Sequence, residues 1–108
     1  MTVQSSPPVE LDVRVPVWGR VHTVAPLVLV GTREPDGSFD LAPKHLAMPL
    51  GLQDWFGFVC TPRHSTYTNA LRERAFTVSY PEPSQLVLTS LAASPRCEDG
   101  SKPAVHEL

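Results

Sequence analysis

Polar groups able to do chemistry gather at two places in this chain. One is Lys44–His45, inside LAPKHLAMPLG (41–51). The other is the run Thr61, Pro62, Arg63, His64, Ser65, Thr66, directly before a segment with helical spacing. The second set has a clear physical use. A helix N-terminus presents backbone N–H groups without intrahelical partners and carries a partial positive charge. Arg63, the hydroxyls of Ser65 and Thr66, and those amides make a seat for a phosphate, with Thr61 and His64 at its edge. Lys44, brought in from the other segment, would add a second cation. The plainer alternative is that Ser65 and Thr66 only cap the helix and Arg63 is solvated. Asn69 falls one turn after Thr66. It is either an exposed helix residue or, with Thr66, faces the same loop and fixes the helix start against it.

Other chemistries find less support. His45 and His64 lack a third ligand at metal-binding spacing, and no HExxH pattern is present. His22 and His106 read as surface residues. There is no GxSxG elbow, no GxxxxGK[ST] loop and no GxGxxG turn, so neither a serine hydrolase nor a Rossmann cofactor domain is expected. Cys60 and Cys97 form no CxxC pair and read as free thiols in a reducing cytoplasm. A net charge of −2 with no run of like charges gives no reason to expect nucleic acid as a partner. The N-terminus lacks a signal-peptide pattern, and the longest apolar run, VAPLVLV, is too short to cross a bilayer. Neither a membrane partner nor a location outside the cytoplasm is expected.

These groups need elements to position them. The 108 residues suffice for one small domain, and the 12 prolines fall at segment edges as punctuation. Residues 1–12 read as a flexible lead-in, and 13–21 as a short edge segment. VAPLVLVGT (24–32) reads as a strand buried on both faces. REPDGSFD suits a type I turn closed by a left-handed glycine, so a second strand at 38–42 should fold back antiparallel on the first. LAPKHLAMPLG then leaves the sheet as a loop, its backbone groups freed by Pro43. DWFGFVC (54–60) reads as a third strand. STYTNALRERA reads as a helix with a hydroxyl N-cap and Ala and Leu on its inner side. AFTVSYP (75–81) is a fourth strand, and 83–94 a second helix capped by Ser84. Residues 95–108 form an irregular tail. The expected fold is mostly β with helices, a small barrel or sandwich that lacks its closing strands.

APLVLVGTREPDGSFDLAPKHLAMPL followed by FGFVCTPRHSTYTNALRERAFTVSYP resembles the flavin reductase-like family, whose fold is the FMN-binding split β-barrel. The likeness covers about residues 24–94 and rests on the order and spacing of several short motifs. It implies an FMN site, with FAD as an alternative, and NAD(P)H as hydride donor. Ala42, Pro43, Lys44 and His45 would lie along the isoalloxazine and ribityl chain. Arg63, His64, Ser65 and Thr66 would hold the phosphate end, with Thr32 nearby. No side chain need act as a catalytic acid or base. A homodimer and a partner oxygenase using reduced flavin are also implied. The sequence departs from the family pattern at Asp40 (for Asn), His45 (for Ser) and Ser65 (for Asp). Lys44 would balance the charge of Asp40. Family domains carry further strands that close the barrel, so the chain matches their N-terminal half to two-thirds. A non-catalytic flavin-binding or partner-binding half-barrel is the competing reading, and a barrel for some other ligand a third.

Overall fold

The turn at Pro35-Asp36-Gly37 sets the architecture. Pro35 presets the first turn position, and Gly37 takes φ 88°, a conformation that disfavours side chains. The Glu34 amide donates to Ser38 O at 2.8 Å, and the Gly37 amide to Glu34 O at 3.0 Å. Strand β1 (Val28–Arg33) thereby returns antiparallel as β2 (Phe39–Lys44), with Val30 opposite Ala42 and Thr32 opposite Asp40. This is the hairpin that the sequence leads one to expect. The Asp36 carboxylate accepts from Ser38 Oγ at 2.6 Å and from the Ser38 amide at 2.9 Å. The hydroxyl first, then the amide, hold its carboxyl below the ordinary value of 3.8. A carboxyl depressed on folding adds stability above its unfolded value and loses it as pH falls through its folded one. Asp36→Ala is therefore expected to lower the unfolding midpoint at neutral pH and to match the parent well below pH 3.8. An equal deficit at both pH values would show that the turn does not depend on the carboxylate.

The computed structural model describes residue 2 and residues 4–21 and 24–99. Strand β3 (Ala47–Pro49) pairs antiparallel with β4 (Phe56–Phe58), and the Leu50 amide closes their connection on Trp55 O at 2.8 Å. Helix α1 (Ser65–Glu73) follows and ends where Arg74 takes φ 53°. Strand β5 (Thr77–Ser79) then pairs antiparallel with β1, giving one sheet in the order β2-β1-β5 beside the two-stranded β3-β4. Helix α2 (Leu86–Leu91) is the last helix or strand among the described residues. The described residues thus form two small antiparallel sheets with helices and no closed barrel. Val28, Val30 and Ala47 are fully buried, with Phe56, Phe58 and Val78 packed against them. Phe58 meets Phe76 edge to face, centroids 4.9 Å apart, and so ties the two sheets. Gly31 is required by close packing, since a Cβ there would run into the Thr77 side chain. No helix among the described residues is long and apolar enough to cross a membrane.

Several elements differ from expectation. Residues 13–21 form no strand. Arg14 pairs with Asp12, Arg20 donates to the carbonyls of Asp12 and Val15, and Trp18–Arg20 is a 3-10 turn. Strand β1 begins at Val28, past Pro26, which has no N–H to donate. Strand β2 runs on through Pro43 and Lys44, opposite Leu29 and Val28, so LAPKHLAMPLG is not a loop. It is the end of one strand, a two-residue bend and a third strand. Because β2 is an edge, a proline there need break no ladder. Strands β4 and β5 are shorter than the apolar runs that signal them.

Helix α1 starts from His64 as its N-cap, with Ser65 as its first residue and no side-chain cap bond. Its buried residues are Thr66 and Asn69, whereas Leu71 is exposed, so the apolar side does not face the sheet. The second helix is a 3-10 turn, Pro83–Gln85, leading into α2. Glu82 rather than Ser84 stands at the cap, its amide bonded to Gln85 Oε1 at 2.8 Å. His22 and His106, and the tail beyond Asp99, lie outside the described residues.

Candidate functional site

Lys44 reaches the site because β2 carries the chain past Pro43 before bending away. Arg63, His64, Ser65 and Thr66 reach it because the turn after β4 leads directly into α1. Within that turn the His64 amide donates to Thr61 O at 3.1 Å. The two segments meet at an open cleft of about 330 Å³. One side is formed by Asp40, Ala42, Pro43 and Lys44, another by Arg63 through Thr66, and the third by residues 92–96. Side chains from positions some 20 residues apart are thus brought together, and Lys44 Nζ comes within 3.5 Å of His64 Nδ1.

Four other residues singled out from the sequence do not line this cleft. His45 is exposed on the bend between β2 and β3, and Thr61 is exposed in the turn before α1. Thr32 and Asn69 are buried and bonded to each other, Asn69 Nδ2 donating to Thr32 Oγ1 at 3.2 Å. That bond fixes α1 on β1, across 37 residues of chain. Asn69 therefore holds the helix in place against a strand rather than against the preceding loop.

Sequence reasoning missed the third wall. Ala92, Ala93, Ser94, Pro95 and Arg96 come from the end of α2 and the segment after it. Arg96 forms ion pairs with Glu34 and, at 3.2 Å, with the buried Asp40. Arg96, not Lys44, is the cation set against Asp40, which leaves the Lys44 ammonium directed at His64. Nothing in the local pattern of PRCED announces this, since both carboxylates lie in the distant first hairpin.

The polar groups of the cleft are chiefly donors, with Lys44 and Arg63 as cations and Ser65 and Thr66 as hydroxyls at a helix N-terminus. Its apolar surface is made of small side chains, Ala42, Pro43, Ala92, Ala93 and Pro95. Such a site suits an anion joined to a flat or slender apolar group. Comparisons with protein-family models, with curated proteins and with solved structures find no match.

Proposed function

We propose that the chain is an FMN-binding protein of the flavin reductase type, its two open sheets forming part of a split barrel. The observation that carries this reading is the meeting of Lys44, Arg63, Ser65 and Thr66 in a cleft that Ala42, Pro43, Ala92, Ala93 and Pro95 also line, beside Ser94 and the Asp40–Arg96 ion pair. FMN pairs a phosphate with a flat ring, and the two kinds of surface match those two ends. The volume, about 330 Å³, falls at the small end of ligand clefts, which run from about 300 to 1,000 Å³, so the ring would sit partly in solvent. An exposed ring is open to a second molecule stacking on it. When bound, the flavin supplies the chemistry, taking a hydride from a reduced nicotinamide. The protein's part is to bind and orient. Arg63, with the α1 amides, holds the phosphate, and Lys44 adds positive charge. Ala42 and Pro43 offer the ring a surface free of bulky side chains. NADH and NADPH are both admissible donors, and FAD is the alternative flavin. The family resemblance adds a homodimer and a partner oxygenase to this proposal.

A second reading is favoured by the many apolar side chains left in solvent, among them Leu52, Trp55 and Val59 around β4. In that reading the half-barrel binds flavin or another chain without turnover. One purified sample separates the two. FMN fluorescence should quench saturably on titration with the chain, with a Kd of roughly tens of micromolar or tighter. NADH or NADPH oxidation should then proceed with FMN as acceptor. Binding without turnover supports the second reading, and no binding at all removes the first.

A further inference from the structure

Helix α2, from which the third wall of the cleft springs, is held loosely by its own packing. Its closest packing is with the 3-10 turn just before it, and Leu86, Val87 and Leu88 are exposed. Thr89, its buried residue, carries a hydroxyl with no hydrogen-bond partner among the described residues. A buried hydroxyl left unpaired weakens the contact it sits in. The wall beyond α2 is tied down by charge instead. The Arg96 guanidinium bridges Glu34 and, at 3.2 Å, Asp40. Both carboxylates belong to the hairpin fixed by the turn at Pro35–Gly37, so the bridge to Glu34 spans 62 residues of chain. The Glu34 and Asp40 side chains are 16% and 6% exposed, which shields the pairs from water and salt. A carboxylate as buried as Asp40 is costly to leave without its cation, so the bridge has a defined closed position.

We propose that residues 92–96 are a strap across the cleft, latched by Arg96 on Glu34 and Asp40, and that releasing the latch opens the cleft. Arg96 is then a positioning residue, setting where Ala92, Ala93 and Pro95 stand against a ligand. One planar guanidinium fork shared by two carboxylates favours a single arrangement. Opening breaks those ion pairs and disturbs little other packing, so the strap moves as a local unit while the two sheets stay folded. The latch depends on how the cleft is built and not on which ligand fills it. Its effect on FMN rests on the flavin reading.

The test begins with the protein free of ligand. The amides of Ala92, Ala93 and Ser94 donate to the carbonyls of Leu88, Ser90 and Leu91, so their hydrogen exchange reports on the root of the strap. Glu34→Gln is the informative change, because Glu34 does not line the cleft and reaches the strap through Arg96. Exchange at the three amides should be about tenfold faster in Arg96→Gln and about threefold faster in Glu34→Gln. The double variant should be no faster than Arg96→Gln alone, since both changes break one bridge. Arg96→Lys keeps the charge without the fork and should fall between the parent and Arg96→Gln. The amides of Leu50 and Val59, bonded to Trp55 O and Leu46 O, are the control and should not change. Titrations then follow, in which Glu34→Gln should weaken FMN and riboflavin by one common factor of about three. Faster exchange in the strap with no FMN binding by the parent would remove the flavin reading and leave the latch standing. Unchanged exchange at 92–94 in both single variants, additive effects in the double variant, or equal acceleration at Leu50 and Val59 would overturn the latch. So would faster exchange in Glu34→Gln with both flavin affinities unaltered.

Discussion

Replacing Arg63 by Ala is expected to weaken FMN binding roughly tenfold to thirtyfold, about 1.5–2 kcal/mol, while riboflavin binding changes little. The difference arises because riboflavin has the ring and ribityl chain but no phosphate. Arg63 stands at the start of α1, where a guanidinium and the helix amides can converge on one anion. The residue is exposed, so water and salt moderate the loss, and the lower part of the range for a charge-assisted hydrogen bond applies. Exposure also means that Arg63 does little for the fold, and the unfolding midpoint should stay near that of the parent protein. The two ligands are titrated by fluorescence quenching against parent and variant at one fixed salt concentration. An equal loss for both would place Arg63 near the ring or ribityl chain and sink the phosphate assignment. Raising the salt should weaken FMN more than riboflavin in the parent protein, and less so in the variant.

The features that could be read locally were those written in adjacent residues. Pro35-Asp36-Gly37 defines a turn without help from the rest of the chain, and the observed hairpin follows it. The helix at STYTNALRE is legible for the same reason, with its start in TPRHST and no proline within it. What could not be read depends on partners far away in sequence. Pro43 looks like a strand breaker until β2 is known to be an edge, where a missing N–H is harmless. The inner side of α1 is polar because Asn69 meets Thr32, and a helical wheel sorts residues by polarity without knowing what lies opposite. The third wall of the cleft was invisible because Arg96 is placed by Glu34 and Asp40. Half of the proposed site was therefore legible as chemistry, but its enclosure was not.

The buried pair Asn69 and Thr32 should carry the largest effect on stability. The two residues are 1% and 2% exposed, and the 3.2 Å bond between their side chains joins α1 to β1. Asn69→Ala removes the donor and leaves a gap, and should cost about 2–3 kcal/mol in urea unfolding. That is a large share of the stability of a small domain, typically about 5–15 kcal/mol, and among the described residues Val28, Val30 and Ala47 form the fully buried apolar cluster. Thr32→Val keeps the shape but strips the amide of this acceptor, and should cost about 1–3 kcal/mol. Removing both polar partners together, in Thr32→Val with Asn69→Ala, should cost about 1 kcal/mol less than the sum of the two single changes. Strict additivity would show that the two side chains do not act as a pair. The same helix carries Thr66, buried one turn earlier, and its N-terminus forms one wall of the cleft. If the pair sets that wall, Asn69→Ala, studied where it is still folded, should weaken FMN and riboflavin by the same factor, because the whole wall moves. Arg63→Ala should separate them, because only one contact is lost. The contrast between the two variants distinguishes a residue that touches the ligand from one that holds the helix behind it.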